Sequence, residues 1–126
     1  MRRRAAFTLV ELLVVVVVIG ILAAMAIPKF KNTKGKANAA ALRTDLRNLA
    51  TAEESYFYTN NHYTGVLDSL KFRGSNGVVV TIPEANAAGW SATVTHPDAW
   101  PMRCSLFYAG AAPLAPATAE GLITCQ

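Results

Sequence analysis

Apolar and polar positions are distributed very unevenly along this chain. From Phe7 to Ile27 the only ionisable residue is Glu11; the remainder is mostly Val, Leu, Ile and Ala. As a helix this stretch spans about 31 Å, close to the ~30 Å of a bilayer's hydrocarbon core. Pro28 follows. It lacks an amide hydrogen and clashes with the preceding turn, which predicts a kink there; Gly20 and Gly35 are two further weak points. The helical pattern then resumes. Leu42, Leu46 and Leu49, with Tyr56 and Phe57, recur on one face, while Arg43, Asp45, Arg47 and Asn48 lie elsewhere around it. The spacing predicts one helix from about Phe7 to Thr59, ended by Asn60-Asn61-His62. Its amphipathic half, 28–59, should pack its leucine stripe on a globular head.

The period changes beyond residue 60. A loop rich in Asn, Gly and Ser runs to residue 77, with Leu67, Leu70 and Phe72 as anchors. Short runs with β character come next: Val78–Ile82 ended by Pro83, Trp90–Thr95, Cys104–Tyr108, and Leu122–Cys125 as an edge or tail. The alternation in Trp90–Thr95 predicts one buried and one exposed face. Short separations favour antiparallel hairpins over crossovers. A helix followed by a small antiparallel sheet is an α+β arrangement. Tyr56, Phe57, Tyr58 and Tyr63 form an aromatic cluster expected to pack between helix and sheet. The Ala/Pro-rich stretch Ala109–Ala119 reads as a mobile, exposed surface.

Charge adds one qualification. The net charge of +4 draws three units from Arg2, Arg3 and Arg4. Without them, nine Lys/Arg face eight Asp/Glu, so nucleic acid is not indicated as a partner. Lys29, Lys31, Lys34 and Lys36 read as a solvated helix face. The two cysteines, Cys104 and Cys125, in a chain with an export signal suggest a disulfide, unique if intramolecular. Two free buried thiols are the alternative. A bridge would close a loop of about 20 residues, worth roughly 3 kcal/mol in the chain-entropy model.

Three readings compete for the first 27 residues: a plain transmembrane anchor, a secretory signal peptide cut after Ala24-Met25-Ala26, and a signal whose short basic leader is removed while the apolar helix is kept. Glu11 separates them. A carboxylate in an apolar helix is costly, and neither of the first two readings gives it a purpose. A cut before Phe7 would create an α-amino group four residues before Glu11. In a staggered bundle of parallel helices, the amine of one subunit can meet the carboxylate of another. At about 4 Å and an effective dielectric of 20, that attraction is on the order of 4 kcal/mol before desolvation. The positive-inside rule favours the leader end, with Arg2, Arg3 and Arg4, in the cytoplasm, but four lysines follow the apolar segment on its other side, so charge alone does not decide the orientation.

Ala6-Phe7-Thr8-Leu9-Val10-Glu11-Leu12-Leu13, the Val run, Gly20, the Ala-rich stretch and Pro28 together resemble the N-terminus of type IV pilins and pseudopilins. The resemblance implies a leader of residues 1–6, cleavage by a prepilin peptidase between Ala6 and Phe7, and N-methylation of Phe7. Ala6 stands where the family usually has Gly. It further implies that 7–27 is the membrane and filament-core helix, with Phe7 and Glu11 in subunit assembly. Gly20 and Pro28 would bound a stretch able to unwind, and 60–126 would be a head closed by a Cys104–Cys125 loop. The implied partners are further copies of the chain, the peptidase, the inner-membrane pilus assembly machinery, and the membrane before assembly. The implied destination is a surface pilus. A type II secretion pseudopilin and a soluble protein cut after Ala26 are the alternatives.

Nothing in the sequence suggests an enzyme. His62 and His96 are the only histidines, and neither has a second ligand at metal spacing. Phosphate-loop and nucleophile motifs are lacking, and the acids of the head are scattered. The expectation is a structural subunit with no cofactor and no metal.

Overall fold

The computed structural model describes residues 6–126; all of the expected leader except Ala6 lies outside the described residues. Helix α1 covers Leu9–Asn60 as one element of 52 residues, and Pro28 lies inside it without ending it. The helix stops one residue beyond the expected end. Asn61 takes a left-handed φ of 58°, and its amide donates to the Phe57 carbonyl at 2.7 Å. That closes the last turn as an αL cap, a role for which Asn is suited.

Contacts divide the chain between Thr33 and Lys34 into two compact units. In the first, every described side chain is exposed, and its apolar helix is long and apolar enough to cross a membrane. The run Val14–Val18 is a poor helix former in water, because β-branching restricts χ1 against the preceding turn. In lipid, or among other helices, the backbone must satisfy its own amides and carbonyls, and only the helix does so within one segment. The sequence of this unit is therefore suited to an apolar surround.

The second unit, Lys34–Gln126, holds the rest of α1 and a four-stranded antiparallel sheet of order β1-β2-β3-β4, with β1 Val79–Ala85, β2 Gly89–Thr95, β3 Arg103–Ala109 and β4 Thr124–Cys125. Leu42, Leu46 and Leu49 are wholly buried against Trp90, Ala92, Val94, Cys104 and Leu106. Each such leucine contributes about 1.5–3 kcal/mol of transfer free energy. Register explains the composition of that face: Ala92 lies opposite Leu106 and Val94 opposite Cys104, so the apolar set of both strands points to the helix. Leu70 is buried and Leu67 and Phe72 pack on the same core, as the loop pattern predicts.

Five expectations are corrected, the fifth among the aromatics described below. Pro83 does not end β1; the strand continues to Ala85, with a slip in register between Thr81 and Glu84. β1 is an edge strand, so a residue without an amide hydrogen is tolerated at the slip. Second, β2 does not have one exposed face, since Ser91 is buried. Ser91 pairs with Phe107 on the face away from α1, where Phe107, Ala111 and Ala117 form a second cluster with Leu114. Third, that cluster means Ala109–Ala119 is not simply an exposed surface: part of it folds over the sheet. Ser105 Oγ donates to the Leu114 carbonyl at 2.8 Å and accepts from the Ala117 amide at 2.9 Å, while Ala109 N–H donates to Glu120 at 2.9 Å. Fourth, Asp45 does not lie off the core face but is buried in it.

The β1–β2 turn brings the chain very close to the end of β3. A Cβ on Gly89 would run into the Tyr108 carbonyl and the Ala111 amide, so only glycine fits there. Among the aromatics, Phe57 stacks on Tyr63 at 4.6 Å and Tyr63 tilts toward Trp90 at 6.5 Å. Tyr58 is 90% exposed and stands outside that group.

Candidate assembly site

The N-terminal end of α1 carries a feature that the sequence pattern contained and that a search for charge pairs passes over. Thr8-x-x-Glu11 is a capping box. The Glu11 amide donates to Thr8 Oγ1 at 3.2 Å, while Glu11 Oε2 accepts from the Thr8 amide and the Thr8 hydroxyl, each at 2.8 Å. Two backbone donors left over at the helix start are thereby satisfied reciprocally. The carboxylate also sits at the positive end of the helix dipole. Glu11 thus has a local role that fixes its side chain one turn from Phe7, which is 78% exposed ahead of the helix. Ala6 is likewise exposed. Gly20 has nothing within 4 Å of the place a Cβ would take. Within this chain no packing requires a glycine at that position.

The head is tied together by acids on α1 that share the leucine stripe. Asp45, 3% exposed, accepts from the Ser75 amide at 2.7 Å and the Ser75 hydroxyl at 2.9 Å. Glu53, fully buried, accepts from the Thr64 amide at 3.1 Å through Oε2, while its Oε1 and Trp90 Nε1 are buried without a partner. Both acids pin the segment between α1 and β1. The signal was legible: 42, 45, 46, 49 and 53 form one i, i+3, i+4 series, and acids within it sit at core positions. Tyr63 donates to Glu54 at 3.0 Å. Burial first, then that bond, pushes its phenol up to about 12.

Burial raises the Glu53 carboxyl above its ordinary 4.5, opposed by the Thr64 amide and reinforced by the neighbouring charge of Glu54. A raised folded-state pKa means the folded chain holds this proton more tightly than the unfolded chain. The resulting stabilisation is present below 4.5 and is lost as pH rises through the folded value. Glu53→Gln keeps an oxygen for Thr64 and removes the buried charge. It is expected to raise stability at neutral pH by about 1 kcal/mol and to flatten this part of the pH profile. Thermal melts of both proteins between pH 4 and 8 check it; a less stable variant at pH 7 contradicts it.

Cys104 and Cys125 are joined in a disulfide between directly paired positions of β3 and β4. Arg43 Nε donates to Cys125 Sγ at 3.4 Å, and Arg103 and Gln126 exchange backbone bonds alongside, at 2.8 and 3.1 Å. Among the described residues no group of three or more His, Cys, Asp or Glu is placed to hold a metal ion.

Residues 1–27 match the prokaryotic N-terminal methylation motif. The chain is 39% identical over 100 residues to the type IV wide pilus major component PilA4 of Thermus thermophilus, covering 76% of each chain. It is 37% identical over 75 residues to the type IV major pilin protein PilA of Myxococcus xanthus, covering 60% of this chain and 34% of that one. It is 39% identical over 62 residues to the type II secretion system core protein G of Aeromonas hydrophila, covering 49% of this chain and 43% of that one. The chain thus spans less than half the length of the last two relatives. An exposed apolar helix opened by a carboxylate, a head built on its second half, and a match over three quarters of a pilus component converge: the chain belongs to the type IV pilin and pseudopilin family.

Proposed function

We propose that the chain is a structural subunit of a type IV pilus. The observation that carries this is the apolar stretch Phe7–Ile27, wholly exposed, whose only ionisable residue is Glu11 in the first turn of the helix. Such a surface is stable in lipid or against other copies of itself, and a filament core of parallel helices supplies the second surround. A prepilin peptidase cuts between Ala6 and Phe7 and Phe7 is N-methylated. The chain waits in the inner membrane and is then moved by the inner-membrane assembly machinery into a surface filament of identical copies. There the Glu11 carboxylate faces the Phe7 amine of a neighbour and sets the register, while the stretch bounded by Gly20 and Pro28 is free to unwind. The filament serves adhesion, twitching motility or DNA uptake.

The match to type II secretion core proteins supports a second reading, a pseudopilin in a short periplasmic filament. The longer match to a pilus component and the Cys104–Cys125 bridge favour the pilus. Immunogold electron microscopy with an antibody to the head separates the two. Labelled long surface fibres, absent from a deletion strain, are expected. Absence of fibres combined with retention of normally exported enzymes would mean the pseudopilus.

A further inference from the structure

The β2–β3 connection, residues 96–102, holds apolar side chains out in water. Trp100 is 75% and Met102 54% exposed. The exposure is built in, because the connection is braced from inside. His96 N–H donates to the Met102 carbonyl at 3.0 Å and Ala99 N–H to the His96 carbonyl at 3.2 Å, while Asp98 N–H donates to His96 Nδ1 at 3.0 Å. Ala99, next to Trp100, is buried. The connection is also fastened to α1: Trp100 N–H donates to the Gly35 carbonyl at 3.1 Å and Asn38 Nδ2 to the Asp98 carbonyl at 3.3 Å. A Cβ on Gly35 would already touch Asp98 and Trp100. The main chain that presents Trp100 therefore cannot rearrange without breaking several bonds. Beside Gly35 stand the exposed Lys34 and Lys36, with Asp98 the one acid on the connection.

An exposed indole and thioether, fastened to a helix position flanked on either side by an exposed lysine, match the interface of an anionic bilayer, where Trp sits at headgroup level and Lys meets lipid phosphate. The tether matches too. Only seven residues of chain separate Gly35 from Ile27, eight helical steps or a rise of about 12 Å, and Lys29 and Lys31 lie within that span. We propose that, before assembly, Trp100 and Met102 dock on the outer surface of the membrane in which the chain is anchored, with Lys34 and Lys36 on anionic headgroups. Resting on the reading of Phe7–Ile27 as membrane-spanning, this gives the head a second hold on the bilayer. Extraction into a filament must break that hold.

The chain has one buried tryptophan, Trp90, and one exposed, Trp100, so a fluorescence difference isolates the docked ring. Full-length protein is reconstituted into vesicles of phosphatidylethanolamine and phosphatidylglycerol carrying lipids brominated near the headgroup, and insertion is verified by flotation in alkaline carbonate. Wild type is expected to show blue-shifted, bromine-quenched emission that Trp100→Phe loses. Replacing phosphatidylglycerol by neutral phosphatidylcholine, or Lys34 and Lys36 by glutamine, is expected to lower the docked-to-free ratio by on the order of tenfold. Inserted protein whose quenching equals that of Trp100→Phe overturns the docking alone. Quenching indifferent to lipid charge overturns the role of the lysines. Trp100 protection that appears only in assembled fibres overturns it in favour of a neighbouring copy, and failure to insert overturns the membrane-spanning reading as well.

Discussion

Glu11→Val is expected to insert into the membrane at normal levels and to yield at least tenfold fewer fibres. The attraction between its carboxylate and the amine of a neighbouring Phe7 is on the order of 4 kcal/mol at 4 Å before desolvation. About 1.4 kcal/mol of that surviving is enough for a tenfold change in an association constant. Valine, however, also destroys the capping box, since Glu11 accepts from both the amide and the hydroxyl of Thr8. Glu11→Gln separates the two roles. Glutamine serves in a capping box but carries no charge, so it should assemble as poorly as valine if the register depends on the ion pair. Quantitative immunoblots of sheared and membrane fractions from the two strains decide this. Normal fibres from Glu11→Gln would mean that the helix cap, and not the charge, is what assembly needs.

Replacing Cys104 and Cys125 together with serine is expected to cost about 3 kcal/mol, a fall in Tm on the order of 10–20 °C for a domain of this size. The loss should be unevenly spread. β4 has only two residues, paired through Cys104–Cys125 and Ser105–Thr124, too short a ladder to hold by itself. Residues 122–126 should therefore exchange their amides early. The stretch before them keeps its own attachments through Ser105 and Glu120. Thermal melts followed by circular dichroism, with hydrogen exchange read segment by segment, test both statements. An unchanged Tm would show that the bridge constrains little in the unfolded chain.

Much of this architecture is legible in the sequence because its signals are local and periodic. The apolar run, the stripe of Leu42, Leu46 and Leu49, and the short β runs each follow from spacing alone. The head was harder to read where polarity and burial part company. Asp45 and Glu53 occupy core positions of the stripe, and their polarity hides them from a search for apolar periodicity. They are accommodated by amides of the segment at 64–75, which no helical pattern reveals. Ser91 is buried and Ala109–Ala119 partly covered for a shared reason. The second face of the sheet is closed by a segment of small residues around Phe107, and Ala and Pro carry little hydrophobic signal on their own. Pro83 misleads as a strand breaker because edge position, a property of the sheet and not of the strand, decides whether proline fits. At the assembly end, Thr8-x-x-Glu11 was readable as a capping box from the letters alone. The register role proposed for Glu11 depends on a second copy of the chain, which no pattern within one chain reveals.

The most direct measurement is the intact mass and N-terminal sequence of the protein sheared from the cell surface. A chain that begins at N-methylated Phe7 and is recovered in long fibres is the expected result; it would establish the cut after Ala6 and the retention of the apolar helix. A chain beginning at Ile27 in the soluble fraction would contradict the account, because the helix proposed to build the filament would have been discarded.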